Sequence, residues 1–273
     1  MSKIAGRFRQ LAEQGRKALI PYVVAGDPTL DATVPLMHRL VAAGADIIEL
    51  GVPFSDPMAE GPVIQVAHER ALAHGTSLRD ALALVTEFRR DDSTTPLLLM
   101  GYTNPVERMG FAAFADAAAE AGVDALLTVD LPPEEVGLVN LELQRVGMDN
   151  IFLVAPTTPQ QRIGRITGEA SGFVYYVSLK GVTGAGNLDL DAVSAGVAAI
   201  RESTELPVAV GFGIKDAASA RAVAAIADGV VVGSALVDCV AQAIACGGDQ
   251  GSAIDAAGDL LQEIRQGIDS IAS

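Results

Sequence analysis

Residues 207–235 read PVAVGFGIKDAASARAVAAIADGVVVGSA and contain one complete repeat of the pattern that decides the fold. The apolar run Pro207–Gly211 is followed by a glycine turn, by an alanine-rich helical segment, Ala217–Ala227, and by a second apolar run, Gly229–Val232. Both runs are continuous rather than alternating, which is typical of parallel strands covered on both faces. The stretch therefore predicts a strand, a helix and a second, parallel strand.

The same pattern recurs along the chain. Eight apolar runs are predicted as strands: Ala18–Val24, Asp46–Leu50, Pro96–Met100, Val123–Thr128, Asn150–Ala155, Gly172–Ser178, Pro207–Gly211 and Gly229–Val232. Helical patterns accompany them: Leu30–Ala43, Ser77–Phe88, Phe111–Ala121, Glu134–Val146, Pro159–Ile166, Asp189–Ile200, Ala217–Ala227, Ala235–Cys246 and Ser252–Ile271. Eight consecutive units in roughly 250 residues predict an α/β fold, a closed (β/α)8 TIM barrel. An open doubly wound sheet is the alternative, but no Gly-x-Gly-x-x-Gly follows the first strand.

Two features are additional to the eight units. The first residues, MSKIAGRFRQLAEQG, form an amphipathic helical pattern and lack the continuous apolar stretch of a signal peptide. The interval 51–95 exceeds one unit, so we expect an inserted loop and an extra helix after the second strand. No linker or charge block divides residues 1–273, and a single domain is expected.

Composition limits the classes of function. Acidic residues outnumber basic ones by 34 to 19, giving a formal net charge of −15. Such a field repels nucleic acid and anionic lipid, so an anionic ligand must be held by local backbone dipoles. No apolar run approaches the ~18–20 residues of a membrane helix. The two cysteines, Cys239 and Cys246, form no disulfide framework, and we expect a cytoplasmic protein.

Glu49 is the strongest candidate for acid–base chemistry. In this fold, catalytic groups follow the carboxyl ends of strands, and Glu49 ends an otherwise apolar run. Apolar walls disfavour a charged carboxylate, which suits a general acid or base. The alternative is a core carboxylate bonded to backbone or to a tyrosine. Asp56 and Glu60 lie in the following loop, where spacing alone does not separate a functional acid from a solvated one.

Two glycine-containing turns predict a phosphate site. Gly211 and Gly213 flank Phe212 after the seventh strand, and Gly233 and Ser234 follow the eighth strand just before a helix. Glycines allow backbone N–H groups to approach a ligand, and a helix N-terminus adds about half a positive charge. We therefore expect a phosphate cradle that needs no lysine. The alternative is that these glycines serve only tight turns.

Other chemistries receive less support from the residues. Lys180 follows the sixth strand, where a Schiff-base aldolase places its lysine, but here it begins a glycine-rich segment that resembles a lid. The histidines His38, His68 and His74 fall on helical segments or their ends, away from strand ends. Neither a metal site nor a Ser-His-Asp triad is predicted.

The segment 49–65, ELGVPFSDPMAEGPVIQ, closely resembles the signature of the tryptophan synthase alpha chain family. Further matching motifs occur in order along the whole chain: Pro21-Tyr22, Gly26-Asp27-Pro28, Tyr102-Thr103-Asn104-Pro105, Asp130-Leu131-Pro132, Gly181-Val182-Thr183-Gly184 and Gly211-Phe212-Gly213. The resemblance implies retro-aldol cleavage of indole-3-glycerol phosphate to indole and glyceraldehyde 3-phosphate, a lyase reaction without metal or organic cofactor in this chain. Another phosphate-binding barrel lyase or isomerase, or a silent subunit that only activates a partner, remains as an alternative.

The resemblance also assigns roles to residues. It implies that Glu49 is the general acid/base, that Glu60 pairs with the indole N–H, and that Tyr175 assists. It implies a substrate pocket of Tyr22, Met100, Leu127, Thr183 and Phe212. It places phosphate at Gly184, Gly211, Gly213, Gly233 and Ser234. The family usually has aspartate where this chain has Glu60, and phenylalanine is common at position 22.

By the same resemblance, the chain works with a pyridoxal-phosphate beta chain in an alpha2beta2 heterotetramer. Its partner-facing loops would be 53–60, 104–108 and 130–133, and the segment 179–190 would be a lid. The contacts expected with the beta chain are Pro53, Phe54, Asp56 and Asn104.

Overall fold

The computed structural model of the chain describes residues 2–177, 189–211 and 213–271. Eight parallel strands pair in chain order: β1 (Ala18–Val24), β2 (Ile48–Gly51), β3 (Leu97–Gly101), β4 (Ala125–Thr128), β5 (Asp149–Val154), β6 (Val174–Val177), β7 (Val208–Gly211) and β8 (Gly229–Val232). β8 also pairs with β1, with Val230 opposite Leu19, and this pairing closes the barrel. The closed (β/α)8 barrel is therefore confirmed over an open sheet.

The described part of the chain contains twelve helices. They are α1 (Lys3–Glu13), α2 (Leu30–Ala42), α3 (Pro62–Ala73), α4 (Leu78–Phe88), α5 (Thr103–Met109), α6 (Phe111–Ala121), α7 (Gly137–Val146), α8 (Gln160–Glu169), α9 (Leu190–Arg201), α10 (Ala217–Ala224), α11 (Ser234–Ala245) and α12 (Gln250–Asp269). The extra N-terminal helix is α1, and the helix expected after the second strand is α3. Within the described ranges, no helix combines the length and apolar character that a membrane crossing needs.

Helix α1 covers the amino-terminal end of the barrel. Its buried side chains, Ile4, Phe8 and Leu11, belong to the same apolar cluster as the inward-facing strand residues. The Phe8 ring packs on Phe173 with 5.5 Å between ring centroids. Because α1 fills this end, the barrel interior is open to a ligand at the carboxyl ends of the strands.

Helix α3 is anchored near the other end of the barrel, where the carboxyl ends of the strands lie. Pro62 occupies its first turn, where a missing backbone N–H costs nothing. The guanidinium of Arg70 donates to both carboxylate oxygens of the buried Asp27, at 2.7 and 2.9 Å. This bidentate pair fixes α3 against the turn that follows β1. The loop from 52 to 61, which connects β2 to α3 and is called the β2–α3 loop below, therefore runs between two anchored ends.

One predicted loop is wrong. The resemblance implies a partner-facing loop at residues 104–108, but these residues belong to helix α5. Pro105 is the third residue of that helix, and the first turn tolerates proline because its N–H groups have no partner within the helix. Helix α7 also begins at Gly137 rather than at Glu134, after a turn.

Candidate active site

A cavity of about 370 Å³ opens at the carboxyl ends of the strands. Its apolar wall comes from Ile64, Met100, Val129 and Leu153. Its polar lining includes two tyrosines, one glutamate and the glycine turns after β7 and β8. A mostly apolar pocket with few polar groups is the usual form of a small-molecule site.

Glu49 is fully buried on β2, facing the barrel interior. Within the described residues, neither of its carboxyl oxygens has a hydrogen-bond partner. A structural carboxylate bonded to backbone or tyrosine would have one. Burial, followed by the nearby charge of Glu60, raises the pKa of Glu49 to about 8. The carboxyl group is therefore protonated at neutral pH and available as a proton donor.

Glu60 lines the cavity from the β2–α3 loop. Desolvation there raises its pKa to about 7. The loop is held on both sides of it: the Ala59 N–H donates to the Tyr102 hydroxyl at 3.0 Å, and the Gln65 amide donates to the Glu60 carbonyl at 2.9 Å. The Phe54 ring also stacks on Tyr102, with 4.7 Å between centroids. These contacts bring the Glu60 carboxyl into the same site as Glu49.

Two tyrosine hydroxyls occupy the space that glycines leave free. A Cβ atom on Gly51 would lie 2.3 Å from the Tyr22 hydroxyl, and a Cβ on Gly211 would lie 2.3 Å from the Tyr175 hydroxyl. Desolvation raises the pKa of both phenols well above the usual value. Both tyrosines therefore remain neutral hydrogen-bond donors. Gly211 is thus required for the position of Tyr175 as well as for the shape of the cavity.

The glycine turns lie together at one end of the cavity. Gly213, with φ +73°, Gly233 and Ser234 all line it. Ser234 is the first residue of α11, so the N-terminus of that helix faces the cavity. Lys215 and Asp238 line this end too, and sequence reasoning missed both. Lys215 is exposed and follows Gly213 by two positions, so a lysine also lines the cavity near the predicted backbone cradle.

Only some of the residues predicted for the substrate pocket line the cavity. Tyr22 and Met100 line the cavity, whereas Leu127 is fully buried in the interior cluster and is absent from the cavity wall. Val129, two residues further along the chain, lines the cavity in its place. Val129 and Leu153 were not predicted as lining residues, although every second residue along a strand faces the barrel interior and this alternation includes both positions.

Several predicted positions lie outside the described residues. They are Thr183, Gly184 and Phe212, together with Lys180 of the alternative Schiff-base route. Of the segment 179–190, only its last two residues are described.

The residues expected to contact a partner lie around the rim. Asp56 and Asn104 are exposed, and Phe54 is half-buried against Tyr102. Pro53 is buried, so its surface is covered within the chain itself. Asn104 lies on α5 rather than on a loop.

His68 is predicted to lie on a helical segment away from the strand ends, and it does lie on helix α3. Its ring bonds the hydroxyl of Tyr22, a residue that lines the cavity, and this contact was not predicted. The two residues are 46 positions apart, so no local pattern indicated the contact.

Fold and site together are those of a (β/α)8 barrel enzyme with a small-molecule cavity at the carboxyl ends of its strands. A sequence profile described as tryptophan synthase alpha chain matches residues 8–264. The chain is 65% identical to the tryptophan synthase alpha chain of Thioalkalivibrio sulfidiphilus over 242 residues, 89% of this chain and 91% of the relative. It is 58% identical to that of Marinobacter nauticus over 272 residues, covering both completely. The crystal structure of tryptophan synthase subunit alpha from Legionella pneumophila has a TM-score of 0.92 at 46% identity, covering 99% of each chain.

The chain belongs to the tryptophan synthase alpha chain family. It is a lyase of tryptophan biosynthesis that cleaves indole-3-glycerol phosphate.

Proposed function

We propose that the cleavage proceeds by general acid–base catalysis, with Glu49 as the proton donor and Glu60 as the acceptor of the indole N–H. The observation that carries this proposal is a pair of neighbouring acids: Glu60 lines the apolar cavity with a pKa of about 7, and the buried Glu49 lies close enough for the charge of Glu60 to help raise its pKa to about 8. Two acids in different environments are what a route with separate donor and acceptor steps requires.

The chemistry begins at the ring carbon that carries the glycerol side chain. Protonation of this carbon by Glu49 gives an electrophilic indolenine. The Glu49 carboxylate then takes the proton of the neighbouring side-chain hydroxyl, and an aldehyde forms as the carbon–carbon bond breaks. The electrons of that bond restore the aromatic indole. The indolenine is itself the electron sink, so this route needs neither an iminium on a lysine nor a cofactor in this chain.

Glu60 would act at the other side of the ring. Positive charge develops on the indole nitrogen as the ring is protonated, and an ionised carboxylate that accepts its N–H stabilises that charge. Tyr175, whose hydroxyl lies over Gly211, would donate to an oxygen of the substrate.

The cavity suggests how the substrate lies. The indole would contact Ile64, Met100 and Val129, and the phosphate would lie at the turns after β7 and β8, where Gly213, Gly233 and Ser234 line the cavity. Backbone N–H groups and the α11 N-terminus supply positive potential there, and Lys215 adds a charge. The roles assigned to Leu127, Thr183, Phe212 and Gly184 remain predictions.

We also propose that the chain assembles with a beta chain that holds pyridoxal phosphate, as an alpha2beta2 heterotetramer in the cytoplasm. Phe54, Asp56 and Asn104 are the proposed contacts, and the buried Pro53 would shape the loop beneath them. Met58, on the β2–α3 loop, is 84% exposed, which suits a partner-covered surface. That loop also carries Glu60, so partner binding there would act directly on the site.

The assay that tests this function uses purified chain and indole-3-glycerol phosphate, with and without a beta chain. Glyceraldehyde 3-phosphate release is followed by a coupled dehydrogenase. We expect slow cleavage by the chain alone and faster cleavage with the beta chain. Equal rapid turnover without the partner would indicate a stand-alone lyase, and no cleavage in either mixture would contradict the proposal.

A further inference from the structure

Two hydrogen bonds connect the cavity wall to the loop that carries Glu60. The Tyr22 hydroxyl lies 3.2 Å from Nε2 of His68, and the backbone N–H of Phe54 donates to Nδ1 of the same ring at 3.1 Å. His68 is 2% exposed and lies on α3, which the Arg70–Asp27 pair anchors. The mechanism above does not use His68.

The direction of both bonds follows from the chemistry of the donors. A backbone N–H can only donate, so Nδ1 of His68 must be the acceptor. The neutral ring then carries its proton on Nε2. Burial lowers the pKa of His68 to about 4, so the ring remains neutral at pH 7. The Tyr22 oxygen therefore accepts from Nε2–H, and its own O–H proton remains available to another acceptor.

The free O–H group lies beside the reacting end of the site. Tyr22 is the register partner of Glu49 in the β1–β2 pair, and its oxygen packs over Gly51, the next inward position on β2. Tyr22 also lines the cavity. An oxygen of the substrate next to Glu49 is thus within the region that this hydroxyl faces.

We propose that His68 is a positioning residue that commits the Tyr22 hydroxyl to donating a hydrogen bond to the glycerol side chain of the substrate, beside Glu49. This inference rests on the proposed function. As Glu49 removes the side-chain proton, negative charge builds on that oxygen, and a donor already oriented toward it stabilises the charge without reorganising. No proton passes along the chain of bonds.

The bond to Phe54 adds a second consequence. Nδ1 is satisfied by the β2–α3 loop, so the tautomer of His68 depends on the loop that also places Glu60. If the loop moves away, Nδ1 loses its donor and the ring is no longer fixed as a donor toward Tyr22. The orientation of Tyr22 is therefore coupled to the position of Glu60.

Two amide substitutions separate the two bonds. In His68→Asn, the amide oxygen replaces Nδ1 as the acceptor for Phe54 but the side chain is too short to reach Tyr22. In His68→Gln, the amide nitrogen lies near the Nε2 position and donates to Tyr22, while the Phe54 N–H is left without its acceptor. Tyr22→Phe removes the hydroxyl, and His74→Asn, at an exposed histidine after α3, is the matched control.

The test is a double-mutant cycle in kcat and KM for indole-3-glycerol phosphate, with the alpha and beta chains assembled. We expect Tyr22→Phe and His68→Asn each to lower kcat about tenfold with little change in KM, as for an interaction made in the transition state. We expect His68→Asn to have no further effect in a chain that already carries Tyr22→Phe. His68→Gln should stay within about threefold of the parent, and His74→Asn should match the parent.

Additive effects in the cycle would overturn the proposal, because a merely structural role does not depend on the Tyr22 hydroxyl. If the parent chain does not cleave the substrate, the proposed function itself fails, which the parent measurement alone reveals. A measurement without substitutions covers the case in which a variant does not fold. Nitrogen-15 NMR of labelled histidine should show His68 as the neutral Nε2–H tautomer at pH 7, and an Nδ1–H tautomer or a cation would overturn the proposal.

Discussion

Replacing Glu49 by glutamine is expected to lower kcat for indole-3-glycerol phosphate cleavage by about a thousandfold, within the range that a positioned general acid contributes. Glutamine keeps the shape of the side chain but holds no proton acidic enough to transfer to the ring carbon. KM should change little, because glutamine keeps the volume of the buried side chain and the proton transfer from Glu49 is made only in the transition state. The coupled dehydrogenase assay measures both constants. A glutamine variant with parental kcat would remove Glu49 from the mechanism.

The same substitution is expected to stabilise the folded chain at alkaline pH. The Glu49 pKa rises from 4.5 to about 8 on folding, so between these values the folded state binds more protons than the unfolded state. Stability is therefore lost as pH rises through this window, and glutamine avoids that loss. Above pH 8, we expect the free energy of unfolding of Glu49→Gln to exceed that of the parent chain by on the order of 4 kcal/mol. At pH 4 the two free energies should be nearly equal.

Urea unfolding at several pH values measures this difference. Glu87→Gln, at an exposed carboxylate of α4, controls for the loss of one negative charge. A stability difference that is the same at pH 5 and pH 8.5 would contradict the raised pKa, whatever the activity of the variant.

Replacing Glu60 by glutamine is expected to lower kcat/KM about a hundredfold, because the amide carries no charge to stabilise the developing positive indole nitrogen. Glu60→Asp should be tolerated within about tenfold, since the loop contacts through Tyr102 and Gln65 leave its backbone in place. The family aspartate at this position is consistent with that tolerance. Full activity in the glutamine variant would exclude Glu60 from the reaction.

The pH dependence of the parent and the glutamine variant gives an independent readout. Cleavage needs Glu60 ionised and Glu49 protonated, so kcat/KM should rise through about pH 7 and fall through about pH 8. The rising limb and the falling limb of this pH profile report apparent pKa values of the coupled pair of carboxyl groups rather than of either residue alone. Glu60→Gln removes the acidic limb. It also removes the charge that helps raise the Glu49 pKa, so the alkaline limb should move to lower pH.

The sequence predicted the barrel well because the fold depends on a repeated local pattern. The bounds of β1 and β8 match the predicted runs Ala18–Val24 and Gly229–Val232. Continuous apolar runs separated by helices leave few arrangements besides a closed parallel sheet. One departure was α5, in a segment that the resemblance implies is a loop; a proline such as Pro105 interrupts a helix interior but is compatible with a first turn.

The site was less predictable because its geometry depends on contacts between distant residues. Glu49 was recognisable because it is an acid near the carboxyl end of an otherwise apolar strand. Glu60 was assigned by resemblance alone, because its approach to Glu49 depends on Phe54 stacking on Tyr102. The bond between Tyr22 and His68 links two elements in the same way. Such pairs are set by packing and leave no periodic signal in the sequence.

A crystal structure with bound ligand tests the central claim most directly. The ligand is an analogue of indole-3-glycerol phosphate that lacks the side-chain hydroxyl needed for cleavage. We predict that the indole nitrogen lies within hydrogen-bond distance of the Glu60 carboxylate, that the ring carbon faces Glu49, and that the phosphate contacts the backbone of Gly213, Gly233 and Ser234. A phosphate bound elsewhere, or an indole that approaches neither carboxyl group, would contradict the account.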